Sequence, residues 1–309
     1  MYDTINLWLP TDKVGSFNPS KTIQQLSNIT EHIRDDGQIY ARGYLKNYKV
    51  NISERGISLK GSLAKYFLPD NFHTLTRSDS ARAFEQMADE LYLPIEKAKV
   101  NRIDFAQNFL MDYQPQAYYN YLGECQHYKR LTQPKSLYYS NGLRQKLFYN
   151  KIAEGKAKGV SLPDVWSGKN VLRYEMRFTS RLPKQFKQAE VTVSNLSEEG
   201  FYMSVYDKWF AEYEAINKLH SINFNLSDMH SPKDFWKQIS LMAVNMIGQD
   251  KIMQEIECLR SKKAFYKPEY YSRLKKEIRE LCKTPEMTSS SDLVTELDKK
   301  IKASKRYYR

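Results

Sequence analysis

A chain of 309 residues with 41% hydrophobic and 27% charged residues can build a full core, in about two lobes. No apolar run approaches the roughly 18–20 residues that span a bilayer, so a membrane protein is not expected. The formal net charge of +12 favours an acidic partner, with nucleic acid as the first candidate.

Three cysteines (Cys125, Cys258, Cys282) stand far apart and form no Cys-x-x-Cys pair. Neither a disulfide framework nor a zinc site is expected. The start, Met1-Tyr2-Asp3-Thr4, has no basic stretch leading into an apolar one, so no signal peptide is expected. A reducing cytoplasm is the expected compartment.

In chain order, Thr4–Leu9 reads as a strand and Lys21–His32 as a helix after Pro19-Ser20. Asp35-Asp36-Gly37 reads as a turn. Strand-like runs follow at 38–45, 47–52 and 56–63, punctuated by Gly43, Gly56 and Gly61. Ser78–Leu91 is a helix with Ser78-Asp79-Ser80 as its cap. Val100–Phe109 is a strand with Arg102, Asp104 and Asn108 on one face. Gln116–Cys125 reads as a short helix. Strands are expected at Ser136–Tyr139 and Lys146–Lys151, joined by a turn at Asn141-Gly142. In Val171–Thr179, Arg173, Glu175 and Arg177 share one face, and Leu172, Tyr174, Met176 and Phe178 the other.

From Glu199 the texture becomes helical. Helices are expected at 199–219, 231–247, 251–262, 267–282 and 291–307, with Pro268 and Pro285 as interruptions and Thr288–Asp292 as a loop and cap. The expected class is α+β: a mostly antiparallel sheet core with flanking helices, then an all-helical C-terminal region. The expected division is an α+β domain over 1–198 and a helical region over 199–309.

The charge is unevenly spread. From Tyr128 to Gln188, fourteen Lys and Arg stand against Glu154, Asp164 and Glu175, so this stretch holds nearly all of the excess. Asp104 and Glu175 each follow an arginine by two residues on an alternating strand. Two acids on neighbouring strands can hold one divalent cation through oxygen. Such an ion polarises a scissile phosphate. The plainer alternative is a sheet laced with Arg–carboxylate pairs. Tyr149 and Lys151 share a face if the strand runs through both, which sets an ammonium beside a phenol that can attack phosphorus. Most of the 23 tyrosines are expected to pack in cores and strands.

The five histidines (His32, His73, His127, His220, His230) show neither His-hydrophobe-His nor His-Glu-x-x-His spacing, so a histidine-rich metal site is not expected. No Gly-x-x-x-x-Gly-Lys-Ser/Thr loop is present, so ATP-driven unwinding is not expected. The mixed-charge Arg273–Glu280 reads as a solvated helix face, with DNA contact as the alternative.

Three blocks in order resemble the phage and plasmid replication proteins of the gene II/X type, the rolling-circle initiators of filamentous phages. They are Val100-Asn-Arg-Ile-Asp-Phe-Ala106, Leu147-Phe-Tyr-Asn-Lys151 and Leu172-Arg-Tyr-Glu-Met-Arg177, the last extended through 179–186. Lys60–Lys65 with Asn71, and the opening strand at Tyr2-Asp3, are weaker matches. The resemblance covers about 1–215. It implies an enzyme that nicks a double-stranded origin through a 5′-phosphotyrosine link, leaves a 3′ hydroxyl as primer, and later rejoins the displaced single strand.

Carried over by position, the resemblance makes Tyr149 the nucleophile, with Lys151 assisting. Asp104 and Glu175 become ligands of Mg²⁺ or Mn²⁺. Arg102, Arg173 and Arg177 become phosphate clamps, and Arg144, Lys146, Lys65 and Asn71 become DNA-contacting residues. Partners implied are origin DNA, a host helicase and a polymerase. The residues alone leave two other readings open, a DNA-binding protein without catalysis and an RNA-binding protein.

Overall fold

Period-two apolar patterns such as Ile5, Leu7, Leu9 and Leu137, Tyr139 bury alternate side chains and leave their neighbours on a second face. In the computed structural model, which describes residues 1–15, 19–33, 39–70, 72–160, 162–219, 229–282 and 291–305, these patterns build one ten-stranded antiparallel sheet. Its strands are β1 (Tyr2–Pro10), β2 (Ser27–Ile33), β3 (Ile39–Leu45), β4 (Tyr48–Ser53), β5 (Gly56–Ser62), β6 (Lys99–Met111), β8 (Lys129–Gln133), β9 (Ser136–Ser140), β10 (Arg144–Asn150) and β11 (Asn170–Phe178); β7 is the short strand Leu122–Cys125. The spatial order is β2-β3-β4-β5-β1-β6-β11-β10-β9-β8. Thus β6 and β11, which carry Asp104 and Glu175, lie side by side, and β10 with Tyr149 flanks β11.

Seven of the helices are short or local to the sheet: α1 (Pro19–Gln24), α2 (Leu63–Phe67), α3 (Arg77–Leu91), α4 (Pro115–Tyr119), α5 (Lys151–Ala157), α6 (Leu182–Phe186) and α7 (Val193–Ser197). The others are α8 (Glu199–Glu214), α9 (Pro232–Ile247), α10 (Gln249–Ser261), α11 (Glu269–Cys282) and α12 (Asp292–Ala303). The α+β class with C-terminal helices is therefore as the sequence led us to expect.

Two compact units divide the chain. The first comprises Met1–Tyr119, Glu124–Asn217 and Leu297–Arg309. Its core is aromatic. Tyr174 stacks on Phe148 at 4.6 Å, and Trp209 of α8 meets Tyr174, Phe105 and Phe109. The Tyr174 hydroxyl donates to the Trp209 carbonyl at 3.0 Å. Tyr202, Tyr206 and Tyr213 of the same helix are buried too. For that reason α8, expected to open the helical region after Glu198, lies inside the first unit. Tyr213 also donates to Asp298, at 2.5 Å. The second unit, Asn120–Gly123 with Lys218–Glu296, packs α9, α10 and α11 around Leu241, Val244, Ile256 and Tyr271.

Some elements differ from the sequence reading. The helix expected over Lys21–His32 stops at Gln24, and Ser27–Ile33 pairs with β3 as an edge strand. Ile29, Thr30 and Ile33 are β-branched and fit a pleat better than a helix. The helix expected over Gln116–Cys125 ends at Tyr119, before a strand at Leu122. Helix α3 is capped by Thr76 with Asp79 in a reciprocal capping box, just ahead of the expected cap at Ser78. Strand β10 ends at Asn150, whose side chain accepts from Ala153 N at 3.0 Å and starts α5. Lys151 therefore opens a helix and does not share a strand face with Tyr149. The expected turn at Asp35–Gly37, and Pro285 with Thr288–Ser290, lie outside the described residues.

Candidate active site

One face of the sheet carries the polar residues of β6, β10 and β11. Cross-strand register sets Arg177 opposite Asp104, Arg173 opposite Asn108, and Tyr149 opposite Arg173. Directly opposed side chains lie about 5 Å apart, so long polar groups meet.

The Tyr149 hydroxyl donates to Glu175 Oε2 at 3.0 Å. Arg173 Nε reaches the same oxygen at 3.3 Å. Arg177 Nε donates to Glu175 Oε1 at 2.7 Å and stands 3.7 Å from Asp104 Oδ2. Arg102 holds both oxygens of Asp104, each at 2.7 Å. Tyr149, Glu175, Arg177, Asp104 and Arg102 thus form one chain of contacts. Asp104 and Glu175 are 2% and 3% exposed, whereas the Arg102 and Arg177 side chains keep 31% and 29% of their surface. The carboxylates sit at the floor and the two guanidiniums at the rim.

Arg173 differs from the other two arginines. It is buried and holds Asp3, Glu175 and Asn108 at once. Expected as a phosphate clamp, it is a strut beneath the site. Asp3 accepts from Ser62 Oγ at 2.6 Å as well. Burial alone would raise the Asp3 carboxyl, but Arg173 and Ser62 outweigh it and hold it below its ordinary value. Asp3 was not among the candidates read from sequence. By alternation Asp3 falls in phase with the apolar Ile5, Leu7 and Leu9, a carboxylate at a core-type position; the register shift between Tyr2 and Ile5 that brings it to Arg173 is not written in the local pattern.

Burial, opposed by Arg102 and reinforced by the charge on Glu175, pushes Asp104 up to about 6. Burial also raises the Tyr149 hydroxyl well above its ordinary 10; Arg173 opposes this and Glu175 adds to it. Lys151 is buried and paired with Glu154 at 2.8 Å. Burial and the charge of Arg173 lower its ammonium. Lys151 is close enough for its charge to act on Asp3, yet its ion-pair partner is Glu154.

Two expected DNA contacts point the other way. Lys146 pairs with Met176 across β10–β11, three residues from Tyr149, and so projects to the opposite face. It is wholly buried, held by the Glu212 carboxylate at 2.8 Å and Cys125 Sγ at 3.0 Å, under the Tyr128 ring at 4.1 Å. Arg144 pairs with the same Glu212. Both serve the seat of α8 on the face opposite Tyr149, and the buried Lys146 is closed to a phosphate. Lys65 lies on α2, which starts at Ser62 beside Asp3, and is partly exposed. Asn71 and His220 lie outside the described residues.

For a cation, the donors are two carboxylates, the hard oxygen ligands that Mg²⁺ and Mn²⁺ take. Mg²⁺ commonly uses one or two carboxylates plus substrate phosphates. The pair already accepts one positive group, Arg177, between its oxygens, which is the electrostatic requirement for such an ion. Among the described residues no group of three His, Cys, Asp or Glu has metal-holding geometry.

Residues 1–211 match the family model for the N-terminal region of the phage gene II replication-associated protein. The chain belongs to this family. The match spans both strands bearing Asp104 and Glu175, Tyr149, and most of α8, and it makes the protein a replication-associated initiator of phage type. The chain matches no curated protein. No helix among the described residues is long and apolar enough to cross a membrane.

Proposed function

We propose that this replication-associated protein nicks origin DNA and transfers strands, with Tyr149 as nucleophile. The observation that carries the reading is the Tyr149 hydroxyl 3.0 Å from Glu175, in a cluster that also holds Asp104. In the proposed step, Tyr149 Oη passes its proton to Glu175 Oε2 and attacks the scissile phosphorus. The bond from phosphorus to the 3′ oxygen breaks, and the DNA stays joined to Tyr149 through its 5′ phosphate. The 3′ oxygen takes up a proton and becomes the primer hydroxyl; the reverse reaction rejoins ends.

Burial makes a free phenolate costly, so proton loss has to accompany attack, and an acceptor within hydrogen-bond reach is what this requires. Glu175 divides its oxygens between tasks, Oε2 toward Tyr149 and Oε1 toward Arg177 and the Asp104 side. Asp104 and Glu175 would hold Mg²⁺ or Mn²⁺, which when bound supplies Lewis-acid polarisation of the phosphate. Arg102 and Arg177, at the rim, would pair with phosphate oxygens. Origin DNA is the substrate, duplex at the nick and single-stranded once displaced. With no phosphate loop in this chain, a host helicase would unwind and a host polymerase extend, in the bacterial cytoplasm.

One observation favours a second reading, a DNA-binding replication protein without catalysis. All four oxygens of Asp104 and Glu175 already accept from an arginine or from Tyr149. Incubation with supercoiled DNA carrying the element's replication region separates the two. The nicking reading expects open circles with Mg²⁺ or Mn²⁺ and none with a chelator. Salt-sensitive binding without nicking in either condition selects the second.

A further inference from the structure

Away from the nucleophile, the same sheet face continues across β6, β1, β5, β4 and β3. Burial alternates along each strand. Ala41, Gly43, Leu45, Val50, Ile52, Ile57, Leu59, Ile5, Leu7 and Leu9 go to the core. Their neighbours face outward. Cross-strand register then aligns those outward residues into rows. Tyr44 is opposite Lys49, Lys49 opposite Lys60, Lys60 opposite Asn6, and Asn6 opposite Arg102. At the strand spacing this row runs about 19 Å and ends at the arginine that grips Asp104. A second row lies about 7 Å from it along the strands: Arg42, Asn51, Ser58 and Trp8.

Neither row contains an acid. Lys49 and Lys60 are exposed, face each other directly, and have no carboxylate partner among the described residues. Like charges so placed destabilise a sheet. Pairs of this kind make sense where an anion neutralises them. Aromatic rings stand among the cations: Tyr44 is 41% exposed, Trp8 is partly exposed, and Arg42 lies over the Tyr40 ring at 4.8 Å. An open sheet with upright aromatic and basic side chains suits unpaired bases, whose faces can stack. A duplex hides those faces.

We infer that the outward face of β3, β4, β5 and β1 is a track for single-stranded DNA leading to the Asp104–Glu175–Tyr149 cluster. Lys49, Lys60 and Arg42 hold phosphates, and Tyr44 and Trp8 stack bases. The inference rests on the nicking reading for the identity of the cluster at its end, but not for the binding itself.

The test is fluorescence anisotropy with labelled oligothymidylate and a labelled mixed-sequence duplex of equal length, over a salt series. For the K49Q/K60Q variant the slope of log K against log salt for the single strand should fall by about 1.4, at roughly 0.7 per lost phosphate contact. Tyr44→Ala should weaken single-strand binding about tenfold, with a much smaller effect on the duplex. K60E turns the repulsion on Lys49 into attraction, so it should melt at or above the wild-type temperature while binding the single strand less tightly. Wild-type affinity in all three variants, or equal losses for duplex and single strand, overturns the track. Covalent nicking of plasmid by the wild-type protein is read in parallel. Nicking with unaltered variant binding sinks the track alone. Lost variant binding without wild-type nicking sinks the catalytic reading alone.

Discussion

Glu212 supplies the counter-charge for the fully buried Lys146, and removing either partner should have unequal effects. Glu212→Gln leaves a buried ammonium facing a neutral amide and should cost about 3–5 kcal/mol. Lys146→Met removes the buried ammonium and leaves Glu212 its ion pair with Arg144 and the hydrogen bond from Tyr128, so it should cost clearly less. Urea unfolding midpoints of the two variants measure the difference. Burial alone would raise the Glu212 carboxyl, but Lys146 and Arg144 outweigh it and hold it below its ordinary 4.5. A carboxylate lowered in the fold contributes stability above its unfolded value and loses it as pH falls through the folded one. The gap between wild type and Glu212→Gln should therefore be full at neutral pH and close on acidification below 4.5. The arginines divide in the same way. Arg173→Ala strands Asp3 and Glu175 in the interior and should destabilise by about 3–5 kcal/mol. Arg177→Ala, at the rim, should unfold at nearly the wild-type midpoint and lose DNA cleavage instead.

Helix α8 is the element on which the first unit depends. Its Trp209 fills the centre of the aromatic slab, so Trp209→Ala should cost about 3–5 kcal/mol. A chain ended at Glu198 exposes Phe105, Phe148 and Tyr174 and should aggregate on expression, as size-exclusion chromatography would show. Much at this scale was legible beforehand. Strands β1, β4, β5, β6, β10 and β11 follow from apolar alternation, and the antiparallel class from their turns. What could not be read from local pattern was long-range. Nothing in the Lys21–His32 stretch says that β3 offers it an edge. The helical spacing of 199–214 does not say which unit its tyrosines face. Lys151 looked like strand because Asn150 reads equally as a strand residue and as a helix cap, and the cap prevailed.

For the molecule as a whole, the positive charge that suggested a polyanion is of two kinds. Lys146, Lys151 and Arg173, within the basic stretch, are buried and spent on acids of the fold. Lys49, Lys60 and Arg42, outside it, stand on the open sheet face with no carboxylate partner among the described residues. Charge counts along the sequence located the excess, while burial decides which of it can meet DNA. Asp104, Glu175 and Tyr149 were legible as candidates because alternation and block order marked them; their joining through Arg177, and the role of Asp3, required the register of three strands. The central claim is that Tyr149 attacks phosphorus. The measurement that tests it is the covalent adduct between protein and origin DNA with Mg²⁺, resolved on a denaturing gel for wild type and Tyr149→Phe, with the DNA-bearing peptide mapped by mass spectrometry. The account predicts an adduct on the peptide containing Tyr149 that is absent from Tyr149→Phe. An adduct of undiminished yield in Tyr149→Phe would contradict it.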